Sequence, residues 1–201
     1  MTTLTLVRHG ETDWNRNRRI QGSTDIPLNE TGREQARRIG QELAEHHDPA
    51  VPLVLVSSDL SRARETVEIV AGILGISGPL VYPALRERAY GEAEGVTDVE
   101  FLERCGTWAT AQIPGAEPWP VVTARALDGM RQVIADARRS HAPGSPEIVA
   151  VAHGGLIRAV MRHATAGQYP VDGVRLANGS RHTFLVERER LRLLESPALA
   201  V

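Results

Sequence analysis

The chain of 201 residues contains no lysine, and all 23 of its basic side chains are arginine. This excludes a P-loop lysine and a Schiff-base lysine. Any side-chain cation that meets an anion here is a guanidinium, whose planar fork matches two phosphate oxygens at once. GC-rich codon usage is reason enough for the bias, and the chemical consequence holds either way. Cysteine is almost as scarce: Cys105 stands alone, so no disulfide closes within the chain and nothing suggests a cysteine metal site. No stretch approaches the run of about 18 apolar residues that a membrane span needs. The first residues run directly into TLTLVRH, without the basic and then apolar regions of a secretory signal. These absences predict a cytoplasmic protein with no membrane partner. The formal charge of -2 and the pI near 6.4 argue against a nucleic-acid partner, which would favour a strongly basic domain.

What is present suits an ordinary globular core: 42% hydrophobic and 24% charged residues over a length fitting one domain. The expected organisation is a single domain, 1–201, with a loop or cap segment at about 88–120. Strands are predicted at Thr3–His9, Pro52–Ser57, Leu80–Tyr82 and Glu147–His153, with a final pair at Thr183–Glu187 and Leu191–Leu194. The first, second and fourth read as buried apolar runs. Helices are predicted from Thr31 to His46, from Asp59 or Ser61 to Gly75, over Asp98–Cys105, from Val121 to Arg138, and one opened by Gly154 and Gly155. Thr31 with Glu34 has capping-box spacing. Alternating strands and helices predict a three-layer α/β/α sandwich around a mainly parallel sheet. In such sheets ligands bind beyond the carboxyl ends of the strands.

Taken singly, the candidate site residues say little. A histidine at a strand end is more often structural than functional, and Arg62 near a helix start is more often a solvated cation. Their conjunction says more. His9 and His153 each end a predicted buried strand and each precedes a glycine, Arg8 adjoins His9, and SDLSRA places Arg62 after the strand PLVLVS. Two guanidiniums and two imidazoles with few local acids make a pocket for a dianion, most naturally a phosphoryl group. Backbone N–H groups at Gly10 and Gly154 add candidate donors. For chemistry, a neutral His9 serves as nucleophile and a carboxylic acid protonates the departing oxygen. PALRERAYGEAEG offers Glu87, Glu92 and Glu94, and spacing alone does not choose among them.

The blocks LVRHGETDWN, SSDLSRARET, LRERAYGEAEG and VAHGG, in that order from Leu6 to Gly155, resemble the histidine phosphatase superfamily, the phosphoglycerate mutase-like group named for its RHG motif. The resemblance implies that His9 becomes phosphorylated, that Arg8, Arg62 and His153 hold the transferred group, and that Glu87 is the proton donor and then the base. It implies Asn15 as a further phosphate ligand and Gln21 and Gly22 as the entrance loop. It also implies a phosphohistidine mechanism with no metal and no cofactor. The adjacent His46 and His47 read as a solvated helix end. Dimers are common among such proteins, so a homodimer is one expected state, although the sequence identifies no interface.

Within the family, RIQGSTDIPLNETGREQA is similar to the phosphatase branch, and the chain is short for a mutase. This predicts a phosphomonoesterase for a small phosphate ester. Two alternatives stand beside it: a 2,3-bisphosphoglycerate-dependent phosphoglycerate mutase and a non-catalytic phosphate-binding protein. ERAYG, residues 87–91, is similar to the mutases' ERxYG, where the arginine and tyrosine touch substrate, so Arg88 and Tyr90 are substrate-binding candidates. Ala93 stands where phosphatases often have tryptophan, and PGAEP, residues 114–118, replaces PGGES, with Glu117 in register. GTWATAQIPGAEPWP holds no arginine, whereas a mutase must grip a carboxylate and two phosphates. The aromatics Tyr90, Trp108 and Trp119 are candidates for lining a pocket or for packing.

Overall fold

The structure, a computed structural model, describes residues 2–108, 111–187 and 190–197. Residues 109 and 110 of the expected cap segment, and the ends of the expected domain 1–201, lie outside the described residues. In chain order the elements are β1 (Thr2–Arg8), α1 (Asp13–Arg16), α2 (Glu30–His46), β2 (Leu53–Ser57), α3 (Ser61–Leu74), β3 (Leu80–Val81), α4 (Asp98–Cys105), α5 (Trp119–Ser140), β4 (Glu147–Ala152), α6 (Gly154–Ala164), β5 (Arg181–Val186) and β6 (Leu191–Glu195). They build a six-stranded sheet in the order β3-β2-β4-β1-β5-β6. Strands β1 to β4 run parallel, and β5 and β6 add an antiparallel edge.

Alternation along the buried strands divides the apolar residues between two faces. Leu4, Leu6, Ile148, Ala150 and Ala152 meet α5 and α6 through Met130, Val133, Leu156 and Met161. Val7, Leu55, Val149 and Val151 meet α2 and α3 through Ile39, Leu43, Val67 and Val70. Each valine, leucine, isoleucine or methionine among them contributes about 1.5–3 kcal/mol when fully buried. The helices therefore cover both faces, which is the predicted three-layer arrangement with a mainly parallel sheet.

Register carries this packing to the site. Arg8 lies opposite Ala152 and Ser57 opposite Val151. The ladder then continues past the strand ends: the His9 N–H donates to the Ala152 carbonyl at 3.0 Å and the Ser58 N–H to the Val151 carbonyl at 3.1 Å. Residues 9, 58 and 153 are thus brought to one level at the carboxyl edge of the sheet.

Three predicted helix starts are corrected. Asn29, not Thr31, caps α2, its Oδ1 accepting from the Gly32 N–H at 2.9 Å. The choice is tertiary, because the Asn29 Nδ2 also reaches Glu11 Oε1 at 2.9 Å. Neither Asp59 nor Ser61 caps α3. Asp59 is committed to a two-pronged pair with Arg86, 2.6 Å at each prong. Its place is taken by Asp25, which accepts from the Ser61 N–H at 2.8 Å and the Ser61 Oγ at 2.7 Å. The helix α5 begins two residues early, with Pro120 in its first turn, where a missing N–H costs nothing.

One buried histidine lies outside the candidate site. His182 on β5 is bonded through Nε2 to Ser180 at 2.9 Å and through Nδ1 to Ser196 at 2.7 Å. Burial lowers its pKa from 6.5 to about 4, so the folded chain holds it neutral. Between those values the unfolded chain binds more protons, and stability falls as pH drops through the window, by about 3 kcal/mol below its lower end. The prediction is that His182→Gln, which bonds but does not titrate, flattens the fall in urea-unfolding free energy between pH 7 and pH 4. An unchanged slope would contradict it.

Candidate active site

His9 is 3% exposed at the end of β1. Its Nδ1 is 2.7 Å from the Gly10 carbonyl oxygen, which only accepts, so Nδ1 carries the hydrogen and Nε2 presents a lone pair. Burial, then the positive charges of Arg62 and Arg8, hold the His9 pKa well below 6.5. The ring is therefore neutral in the tautomer with a nucleophilic Nε2. The His153 ring lies 5.1 Å away, centroid to centroid, tilted by 56°. It is kept neutral by burial and by the charge of Arg62. The Nδ1 of His153 accepts from Arg62 Nε at 3.3 Å, so its Nε2–H points to Ser58 Oγ at 2.6 Å.

Arg62, with no exposed surface, enters from the first turn of α3. Its Nη1 donates to the Thr24 carbonyl and its Nη2 to the Gly22 carbonyl, both at 2.8 Å. Burial lowers its pKa to about 10, which leaves it cationic at neutral pH. Three of its five N–H groups are used, so one on each Nη remains for a further acceptor. Arg8 donates through Nη1 to the Leu176 carbonyl. Its Nε is buried with no partner and lies 3.3 Å from where a Cβ on Gly154 would stand. A buried, unpaired guanidinium donor is expensive to maintain and marks this side of the pocket as built for an anion.

The three acids of PALRERAYGEAEG separate by location. Glu92 is exposed. Glu94 accepts from Ser23 N and Oγ, Thr24 N and Oγ1, and Tyr90 N, and so pins residues 23 and 24 to the 90–94 turn. Glu87 sits at the mouth of α6, with Oε2 accepting from Gly155 N at 2.9 Å and Oε1 from Leu156 N at 3.0 Å and Arg88 N at 2.8 Å. The tight fit there requires glycine, since a Cβ on Gly155 would come within 2.6 Å of Glu87 Oε1 and 2.8 Å of the Tyr90 hydroxyl. Burial, followed by the charge of Glu87, pushes the Tyr90 hydroxyl above its ordinary pKa of 10 and keeps its proton on.

The remaining candidates are placed as follows. Asn15 Oδ1 accepts from Thr12 N and Oγ1, both at 3.2 Å, and from Asn178 Nδ2 at 3.1 Å. These bonds fix the amide's orientation and leave its Nδ2 uncommitted to that network. Asn178 Nδ2 also reaches the His9 carbonyl at 3.0 Å, binding Asn15 to His9. Gln21 is buried, with Oε1 unpartnered. Gly22 has φ +60°, and a Cβ on it would lie 2.1 Å from Glu94 Oε1. Gly154 stands beside Arg8, but the Gly10 N–H is not a free donor, because Thr66 Oγ1 takes it at 3.1 Å. No hydrogen bond joins Arg88 to His9 or His153 among the described residues. Its guanidinium lies 4.3 Å from the Trp119 ring centroid and 4.9 Å from that of Tyr90, and its Nε donates to the Glu117 carbonyl at 2.7 Å. Trp108 stacks on Phe101 at 3.9 Å, whereas the Tyr90 hydroxyl stands beside Glu87 at the start of α6.

Sequence reasoning missed Ser58, Thr66, Asn178 and Arg125. Only Ser58 carried a local signal, since it follows the strand PLVLVS at the level of the two histidines. No group of three His, Cys, Asp or Glu able to hold a metal occurs among the described residues.

A neutral buried imidazole, two guanidiniums and a backbone-held carboxylate meet at the carboxyl edge of a parallel sheet, a set of groups with the chemistry that phosphoryl transfer needs. The family model described as histidine phosphatase superfamily (branch 1) matches residues 4–196. The chain is 34% identical over 194 residues to the uncharacterized phosphatase PhoE of Bacillus subtilis, covering 96% of this chain and 93% of that one. It is 31% identical over 200 residues to the phosphoglycerate mutase-like protein 4 of Arabidopsis thaliana, covering 91% and 83%. Among solved structures, a mycobacterial glucosyl-3-phosphoglycerate phosphatase in complex with VO3 superposes with a TM-score of 0.80 at 30% identity, covering 96% of this chain and 97% of that chain. The chain belongs to the histidine phosphatase superfamily and is a phosphatase enzyme of it.

Gly155→Ala is predicted to keep the fold, because alanine suits a first helical turn. It displaces Glu87, and phosphate release falls by about 10²-fold, the scale of a misplacement near 1 Å. Melting temperature and steady-state kinetics measured together check both halves, and undiminished turnover would contradict it.

Proposed function

We propose that the chain is a metal-independent phosphomonoesterase for a small phosphorylated metabolite, acting through a phosphohistidine on His9. The observation that supports this best is the His9 tautomer: its hydrogen is held by the Gly10 carbonyl, and its Nε2 lone pair is left beside Arg8 and Arg62.

In the proposed first step Nε2 attacks phosphorus in line. The N–P bond forms, the ester P–O bond breaks, and Glu87, having taken up a proton from solvent as the anionic ester enters, gives that proton to the departing alkoxide. In the second step Glu87 takes a proton from water, the hydroxide attacks phosphorus, and the N–P bond breaks to return neutral His9 and inorganic phosphate. Arg8 Nε and the spare Arg62 N–H groups face the equatorial oxygens, whose charge they stabilise. His153 holds Arg62 in place and walls the phosphoryl pocket. Asn15 Nδ2 and Gly154 are further phosphate contacts. Gln21 and Gly22 line the entrance, and residues 88–108 and 111–120 belong to the cap that selects the ester.

The mutase reading retains one favourable feature, the ERAYG segment. Arg88 lies between two aromatic rings, an arrangement that favours packing over substrate recognition and so supports the phosphatase reading.

Phosphorus NMR after chelation, with an aryl phosphate and, separately, 3-phosphoglycerate plus a trace of its bisphosphate, tests the proposal. Inorganic phosphate from the aryl ester without 2-phosphoglycerate is expected, and chelator has no effect. Rapid formation of 2-phosphoglycerate would favour the mutase. His9→Ala is expected to abolish both phosphate release and the acid-labile phosphoprotein, and undiminished release would rule the assignment out.

A further inference from the structure

Glu87 is anchored from two sides. Its carboxylate is held by α6, as described above, and the chain that carries it is held by α5. Arg125, in the second turn of α5, donates through Nη1 to the Ala84 carbonyl at 2.8 Å and the Arg86 carbonyl at 3.0 Å. Its Nη2 reaches the Glu87 carbonyl at 3.5 Å. The same guanidinium forks onto Glu117, Nε to Oε1 at 3.0 Å and Nη2 to Oε2 at 2.8 Å.

Glu117 binds the chain on the far side of Glu87. Its N–H donates to the Ala89 carbonyl at 2.9 Å, and its carbonyl accepts from Arg88 Nε at 2.7 Å. Backbone from 84 to 89 is thereby bracketed by one ion pair, whose side chains are 25% and 18% exposed. Lysine, with one nitrogen, could not span these acceptors; the planar fork can. No hydrogen bond of the bracket reaches His9, and apart from the charge of Arg125 on His153 its contacts fall on the chain that carries Glu87.

We propose that Arg125 and Glu117 are positioning residues that aim the Glu87 carboxyl at the leaving oxygen. This inference rests on the assignment of Glu87 as proton donor. Its chemical consequence is selective. An alkyl ester leaves as an alkoxide and needs the proton in flight, whereas a nitrophenyl ester leaves as a stable phenolate and does not. A displaced Glu87 therefore slows phosphohistidine formation, read by kcat/KM, far more from the first ester than from the second, while the shared hydrolysis step is slowed equally and a merely loosened site slows both.

The test measures kcat and KM for Arg125→Ala and Glu117→Gln on an alkyl phosphate and on 4-nitrophenyl phosphate, with Glu87→Gln in parallel. Glu117→Gln keeps the side-chain shape and decides the matter should Arg125→Ala not fold. Expected is a loss of kcat/KM of about 10-fold or more on the alkyl ester, a loss several-fold smaller on the aryl ester, and partial recovery of alkyl-ester kcat/KM in Arg125→Lys. Equal losses on both esters, or none, with Glu87→Gln still selective, would overturn the positioning role alone. A Glu87→Gln variant with no selectivity would overturn the proton-donor assignment and the positioning role with it.

Discussion

Two guanidiniums are held inside the protein beside two imidazoles that carry no charge, and the rest of the structure exists to keep them there. Removing a cation from water is costly. Arg62 meets that cost with the carbonyls of Gly22 and Thr24 and the lone pair of His153. Arg8 meets it only in part, through the Leu176 carbonyl, with Nε left over. Burial and the two positive charges together keep His9 neutral. The same groups that attract a phosphoryl dianion therefore also keep its attacker unprotonated.

That arrangement depends on close backbone approach. A Cβ on Gly10 would stand 2.4 Å from the Gly32 carbonyl oxygen, and one on Gly32 would stand 2.1 Å from that of Glu11. The turn after β1 is thus pressed against the first turn of α2, and the Gly10 carbonyl that fixes the His9 tautomer is part of that turn. Glu94 and Asp25 do the corresponding work on the facing loop, one pinning residues 23 and 24 and the other capping α3 just before Arg62. The carbonyls offered to Arg62 are consequently set by groups distant from it in sequence.

The layers and strands were legible because apolar runs and periodicity are local. EIVAVA reads as a buried strand wherever it occurs, and a histidine and glycine at its end place a candidate at the sheet edge. Helix starts were less so. Asn29 and Thr31 are both sound caps two residues apart, and the bond from Asn29 to Glu11 decides between them. Asp25 caps a helix that begins 36 residues later, which no capping pattern encodes. Glu87, Glu92 and Glu94 are alike in sequence, and only the start of α6 and the 23–24 loop tell them apart. Arg125 sits in an unremarkable amphipathic helix, and its role is visible only through the carbonyls it meets.

The central claim is that His9 is neutral, with its hydrogen on Nδ1 and a free Nε2. Nitrogen-15 NMR of the labelled protein, with His9 assigned by its loss in a His9→Ala variant, reads protonation and tautomer directly. The account predicts a neutral Nδ1–H ring at pH 7 that stays neutral as the pH is lowered past 6.5, the ordinary histidine value. An imidazolium at pH 7, or a hydrogen on Nε2, would contradict it.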